Sequence, residues 1–177
     1  PDGRVENFRL LDHHGSSQEL YYFADAPALV LMSHSSTCAA AEPSIERFKA
    51  MQAQYADSGV EFMLLNSADD RDTIRAHAGR VGLQAPVLMD STQIIGESLA
   101  MTRAGELLVI EPSSWKVTYR GDVATGGKAL SALLNGERGP ATGAAVAGCD
   151  VDLPELARRD AHADISYARD IAPILQD

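Results

Sequence analysis

At 177 residues and 45% hydrophobic, the chain is long enough to bury one full core with residues left over. A net charge of −10 with no cluster of Lys and Arg argues against nucleic acid and anionic membrane as partners, and no apolar run reaches the length of a membrane span. Two cysteines outside C-x-x-C spacing are too few for a disulfide scaffold or a cysteine-only zinc site, yet enough for one redox pair.

The opening PDGRVENF has neither a basic n-region nor an apolar h-region, so a secretory leader is expected to be absent or already removed. VENFRLLDHHGSSQELYYF reads as two short strands around a turn at His13–Ser16. Asp12-His13-His14 is taken as a solvated turn rather than a metal site, because Gly and Ser beside charged residues are turn chemistry. Ala28–Met32 is an apolar run without alternation, as in a strand covered on both faces. Ser33–Thr37 makes a polar turn, and Ile45, Phe48, Met51 and Tyr55 then recur at roughly helical spacing, with Pro43 in the first turn. Cys38 therefore stands at a strand-to-helix turn, where a helix dipole and capping hydroxyls favour thiolate over thiol. The alternative is a small buried thiol filling a core gap.

Val60–Leu65 is a second apolar strand, and Asn66–Asp72 a loop and cap. A helix marked by Ile74, Ala78 and Val81 follows, ending near Gly82. His77, between Arg75 and Arg80, is placed on its solvated face. Pro86–Met89 is a third strand, and Asp90-Ser91-Thr92 caps a short helix carrying Ile94, Ile95 and Leu99. Glu106–Ile110 and Trp115–Tyr119 are strands whose short connection implies an antiparallel hairpin. Lys128–Leu134 closes the domain. The order predicts an α/β domain over residues 1–136, a mixed sheet flanked by helices with the cysteine at the carboxyl end of a central strand, where ligands and chemistry gather in open α/β sheets. From residue 137 the composition is that of a flexible linker, and Cys149 follows it. The rest reads as an extension wrapping the domain or leading to a further one.

LLDHHGSSQEL, ALVLMSHSSTC, GVEFMLLNS, APVLMDST and TRAGELLVIEPSSWKVTYRG together resemble the thioredoxin fold, and within it the redoxin or peroxiredoxin-like branch, over roughly Val5–Leu134. The resemblance implies that Cys38 is the nucleophilic cysteine, with Ser35 and Thr37 hydrogen-bonding the sulfur and Arg103 supporting the thiolate. The departures are specific. Ala41 stands where thioredoxins have a second cysteine, which excludes C-x-x-C dithiol exchange. Leu31 and Ser35 replace the peroxiredoxin Pro and Thr, and the thioredoxin cis-proline is replaced near Gly105. ISYARDIAPIL resembles the run that leads into a c-type haem domain in some exported multidomain bacterial proteins. It implies a periplasmic or extracellular location and an adjoining domain, although no C-x-x-C-H is present.

Three functions follow as expectations. The first is a thiol redox domain, with antioxidant or oxidoreductase activity, acting on a peroxide or a thiol/disulfide protein partner. In it Cys149, carried by the pliant stretch before it, resolves Cys38 as a disulfide. Left open beside that pairing is a tail thiol that is free or bonds another molecule. The second is a non-catalytic docking or structural module of a larger electron-transfer protein. The third is copper handling through His34 and Cys38, against which His34 is taken as a solvent-facing loop residue. Nothing in the sequence calls for a cofactor or a resident metal.

Overall fold

A computed structural model of the chain describes residues 3–166, 168–169 and 172–175. Tyr167, Asp170 and Ile171 of the ISYARDIAPIL run lie outside the described residues, as do Pro1 and Asp2.

Five strands form one mixed sheet. The first of them, β3 (Leu29–Ser33), is buried along its whole length, as an uninterrupted apolar run requires. It pairs in parallel with β4 (Glu61–Asn66), and β4 in parallel with β5 (Val87–Met89). On its other side β3 runs antiparallel to β6 (Leu107–Glu111), which turns through Pro112–Trp115 into antiparallel β7 (Lys116–Gly121). The strand order is β5-β4-β3-β6-β7, which leaves β3 central. A separate hairpin, β1 (Arg9–Leu11) with β2 (Ser17–Glu19), precedes the sheet.

Because side chains alternate along a strand, β3 feeds two cores at once. Val30 and Met32 face α1 (Glu42–Gln54), α2 (Arg71–Val81) and α4 (Val123–Leu134), among Ile45, Phe48, Ile74 and Leu130. Leu29 and Leu31 face the opposite side, under Val5, Phe8, Leu20, Leu99 and Trp115. Burying a side chain such as Phe48 stabilises the fold by about 1.5–3 kcal/mol. A fifth helix, α5 (Pro154–Ala161), packs near the short α3 (Ile94–Ser98).

α4 starts five residues before the expected Lys128, because Asp122 caps it by accepting the Thr125 N–H at 2.9 Å. Gly126 and Gly127 hid this turn, since glycine normally disfavours a helix. Gly126 is there for proximity: a β-carbon on it would fall 2.3 Å from Leu107 Cδ2.

The turn between β1 and β2 is as expected, with the Asp12 carboxylate accepting the His14 and Ser16 N–H groups. Its solvation is not. His14 is exposed, but Asp12 and His13 are buried, and His13 Nδ1 accepts the Val87 N–H on the edge of the sheet. The hairpin folds onto β5 and takes both residues out of water.

Candidate functional site: a Cys38–Cys149 disulfide under a C-terminal strap

Cys38 lies beyond the carboxyl end of β3 and opens a short 3-10 turn, Ala39–Ala41, that runs into α1. Its side chain is 3% exposed and packs with Ala41 and Ala104. These neighbours are small, so a second stretch of chain can come close. That stretch is the strap of residues 137–151. Its composition reads as linker, yet it is bonded to the domain in several places. Arg120 N–H donates to Ala141 O, Gly143 N–H to Arg120 O, and Ala144 N–H to the Asp122 carboxylate. The same Asp122 carboxylate caps α4, so its pKa stays below the usual range against the cost of burial. Burial and that carboxylate push the Tyr119 hydroxyl up to about 12.

At the end of the strap, Cys149 is bonded to Cys38 with a Cα–Cα distance of 5.8 Å, inside the usual disulfide range. The backbone around it pairs like a short antiparallel strand with residues 102–104. Ala104 N–H donates to Cys149 O at 2.9 Å, Val151 N–H to Thr102 O at 2.8 Å, and Cys149 N–H to Cys38 Sγ at 3.0 Å. Cys149 is exposed and Cys38 is buried.

Arg103 reaches this strap. Its guanidinium donates to Gly148 O at 2.8 Å and meets Asp150 at 3.2 Å. Ser35 and Thr37 are in the turn before Cys38, with their hydroxyls 3.4 Å apart, and the hydrogen bond recorded at the Cys38 sulfur comes from Cys149. Past the disulfide, Gln93 Oε1 accepts the Glu155 N–H, and Arg159 bonds Glu97 and the Thr92 carbonyl. Gln93 holds the left-handed conformation at φ 62° and ties α5 to the loop after β4, donating from Nε2 to Ser67 O.

Two histidines expected in solvent are buried behind the turn. His34 is 3% and His77 5% exposed, with His34 Nε2 and His77 Nδ1 3.0 Å apart. Asn66 lies 3.0 Å from His34 Nδ1 and also donates to Asp69 Oδ2, which accepts the Ser36 N–H. Polar side chains enter a core when every group finds a partner, and here β4 and α2 supply them. Burial and the neighbouring His77 depress His34 to about 4. Burial depresses His77 as well. In the oxidised chain both nitrogens of His34 are engaged and Cys38 is bonded to Cys149, so neither side chain is open to copper. Among the described residues no three His, Cys, Asp or Glu side chains gather as a metal site.

His77, Asn66, Asp69 and Gln93 went unremarked as site residues. The one local signal was Asn66-Ser67-Ala68-Asp69, a spacing suited to side chains that bond nearby N–H groups. A surface cavity of about 530 Å³, lined by Lys49, Tyr55, Phe62 and Pro86, lies at the opposite end of the sheet from Cys38.

Similar solved structures share the fold. A hypothetical protein from Sinorhizobium meliloti aligns with TM-score 0.74 at 21% identity, covering 85% of this chain and 92% of that one. A putative thiol:disulfide interchange protein DsbE from Chlorobium tepidum gives 0.64 at 17%, covering 76% and 95%. The peroxidoxin BcpB from Mycobacterium tuberculosis gives 0.61 at 17%, covering 75% and 94%. No curated protein matches. The fold is thioredoxin-like, and the family model described as Redoxin matches residues 1–132, so the chain belongs to the Redoxin family.

Proposed function

We propose that this chain is a thiol redox domain in which Cys38 is the nucleophile and Cys149 the resolving thiol. The supporting observation is the seating of Cys149 on Cys38 across 111 positions of sequence, by a strap with its own backbone pairing to Thr102 and Ala104. The chemistry starts from the reduced pair. The Cys38 thiolate, at the turn that runs into α1, attacks a peroxide oxygen. The S–O bond forms, the O–O bond breaks, and the leaving oxygen takes a proton to depart as alcohol or water. The Cys149 thiol then displaces hydroxide from the sulfenic acid, closing the disulfide and releasing water. With a protein disulfide as oxidant, Cys38 forms a mixed disulfide and Cys149 displaces the partner as its thiol. To reset the pair, an external dithiol attacks the exposed Cys149 sulfur and Cys38 leaves as thiolate; the dithiol's second thiol then displaces Cys149 from the mixed disulfide, closing the dithiol's own disulfide. Both oxidants fit the family, whose similar folds include a peroxidoxin and a putative thiol:disulfide interchange protein.

If the bond stays closed as a staple, it belongs to an oxidising compartment outside the cytoplasm; a bond that cycles with a dithiol sets no compartment. No helix among the described residues is long and apolar enough to cross a membrane.

A second reading, a non-catalytic module stapled by the bond, is favoured by the burial of Cys38 and by the anchoring of α5 beyond it. One experiment separates the two. Reduced protein is mixed with hydrogen peroxide, or separately with an oxidised thiol protein, and quenched for mass spectrometry. Under the proposal, wild type closes the Cys38–Cys149 bond. Cys149→Ser stops at a sulfenic acid or mixed disulfide on Cys38, and Cys38→Ser is inert. Reaction of Cys38 no faster than free cysteine with either oxidant establishes the module instead.

A further inference from the structure

We propose that His34 and His77 are positioning residues for Cys38, holding the turn in front of it through a directional chain of hydrogen bonds that only neutral imidazoles complete. This rests on the reading of Cys38 as a working thiol.

The direction of the chain is set by the backbone. Asn66 Oδ1 accepts the N–H groups of Ala68 (3.0 Å) and Asp69 (2.8 Å), so the amide oxygen is committed to its own loop. The Asn66 NH2 is thereby turned onto His34 Nδ1 and Asp69 Oδ2. His34 Nδ1 must then accept, which puts its proton on Nε2, from which it donates to His77 Nδ1. His77 in turn carries its proton on Nε2. Each link has one donor and one acceptor, and neither imidazole has room for a second proton.

This chain holds the Cys38 turn from the side ahead of the cysteine. There His34 N–H donates to Leu65 O, and Ser36 N–H donates to Asp69 Oδ2, the oxygen that also takes the Asn66 amide. Behind it, His77 on α2 lies near Glu42, the first residue of α1, which is ion-paired with Arg80 at 2.6 Å. The charged and titratable groups around the pair are therefore Asp69 on the β4 side, Glu42 on α1, Arg80 on α2, and His13 from the hairpin.

A proton on His34 Nδ1 would face the Asn66 NH2, donor against donor. The amide can accept that proton only by turning its oxygen away from Ala68 and Asp69. Asp69 then loses the loop geometry that presents it to Ser36, and the turn before Cys38 is released. Acid accordingly loosens the seat of the Cys38–Cys149 bond without touching either cysteine.

The test uses the oxidised chain and a water-soluble phosphine. The phosphine attacks one sulfur, the S–S bond breaks, and water then gives phosphine oxide and two thiols. Reduction rates are compared between wild type and His34→Gln from about pH 8 to about pH 3.5. Gln keeps an N–H for His77 but cannot take up a proton, and the ratio of the two rates cancels the phosphine's own titration. The expected ratio is flat above about pH 6 and rises several-fold as pH falls through about 4, the value to which His34 is depressed. Should His34→Gln fold poorly, the wild-type rate is divided by that of oxidised glutathione with the same phosphine, which cancels the phosphine's titration in the same way. The His34 ring-proton signal must then titrate with the same midpoint as the acid limb of that ratio. Identical profiles for both proteins, or a His34 ring titrating at its ordinary value, overturn this inference and leave the thiol reading intact. Chain isolated under air with two free thiols overturns both.

Discussion

Gly148 rests directly on Ala104: a β-carbon at Gly148 would fall 1.6 Å from the Ala104 carbonyl oxygen. The strap can therefore dock only with glycine next to Cys149. Gly148→Ala lifts the strap and breaks the bonds from Ala104 N–H to Cys149 O and from Cys149 N–H to Cys38 Sγ. Loss of these bonds, worth about 1.5 kcal/mol or more, slows closure of the disulfide by roughly tenfold or more. Timed alkylation and mass spectrometry after oxidation of the reduced chain measure it. A rate equal to wild type would show that the strap closes the bond without this seat.

The bond spans 111 positions of sequence. On the chain-entropy model, closing a loop of that length stabilises the fold by about 4–5 kcal/mol. Cys149→Ser is expected to lose most of that in denaturant unfolding, and to match reduced wild type. A much smaller loss would mean that the unfolded chain already holds the two ends together.

The buried histidines make stability depend on pH. His34 has a folded value of about 4 against an ordinary 6.5, so the unfolded chain binds a proton that the folded one refuses. The stability held by neutral His34 is complete above about pH 6.5 and falls as pH drops from there to about 4. Its full size is about 3 kcal/mol. His77 and His13 are depressed in the same direction and add to the slope. Unfolding free energies of wild type and His34→Gln, measured across that range, should converge as pH falls. Parallel curves would assign the acid sensitivity to other groups.

Arg103 makes two contacts of unequal worth. Its ion pair with Asp150 is largely exposed, with side chains 48% and 84% accessible, and contributes little. The hydrogen bond to Gly148 O positions the strap. Arg103→Ala is expected to weaken closure of the disulfide about five- to tenfold in a glutathione titration, corresponding to about 1 kcal/mol. Asp150→Ala should be nearly silent. The pKa of the Cys38 thiol in the reduced Cys149→Ser protein should not change with Arg103→Ala. A rise there would return Arg103 to the thiolate-supporting role the family resemblance implies.

Much of the scaffold is legible in the sequence. β3, β4 and the β6–β7 hairpin follow from apolar runs and short polar connections, and Cys38 falls at the strand-to-helix turn that its neighbours announce. These features depend on residues close together in the chain, and periodicity and turn chemistry report such relationships directly. Where local signals conflicted, reading failed at the edge: the glycines of GDVATGGK concealed the first turn of α4, because what they serve is contact with Leu107.

The amino-acid sequence by itself determined the α/β class, the family, the placing of Cys38 and the existence of a second thiol after a pliant stretch. Only the tertiary structure decided what those parts meet. His34, His77 and His13 are polar by type, and residue type assigns them to solvent. They are buried because Asn66 and Val87, on other strands, bond His34 and His13, and His34 in turn bonds His77. Arg103 lies in sequence where a thiolate's partner would be expected, but its guanidinium is taken by Gly148 and Asp150, some 45 positions further on. A group's burial and charge state are properties of its partners, and those partners are brought by the sheet and not by the neighbouring sequence.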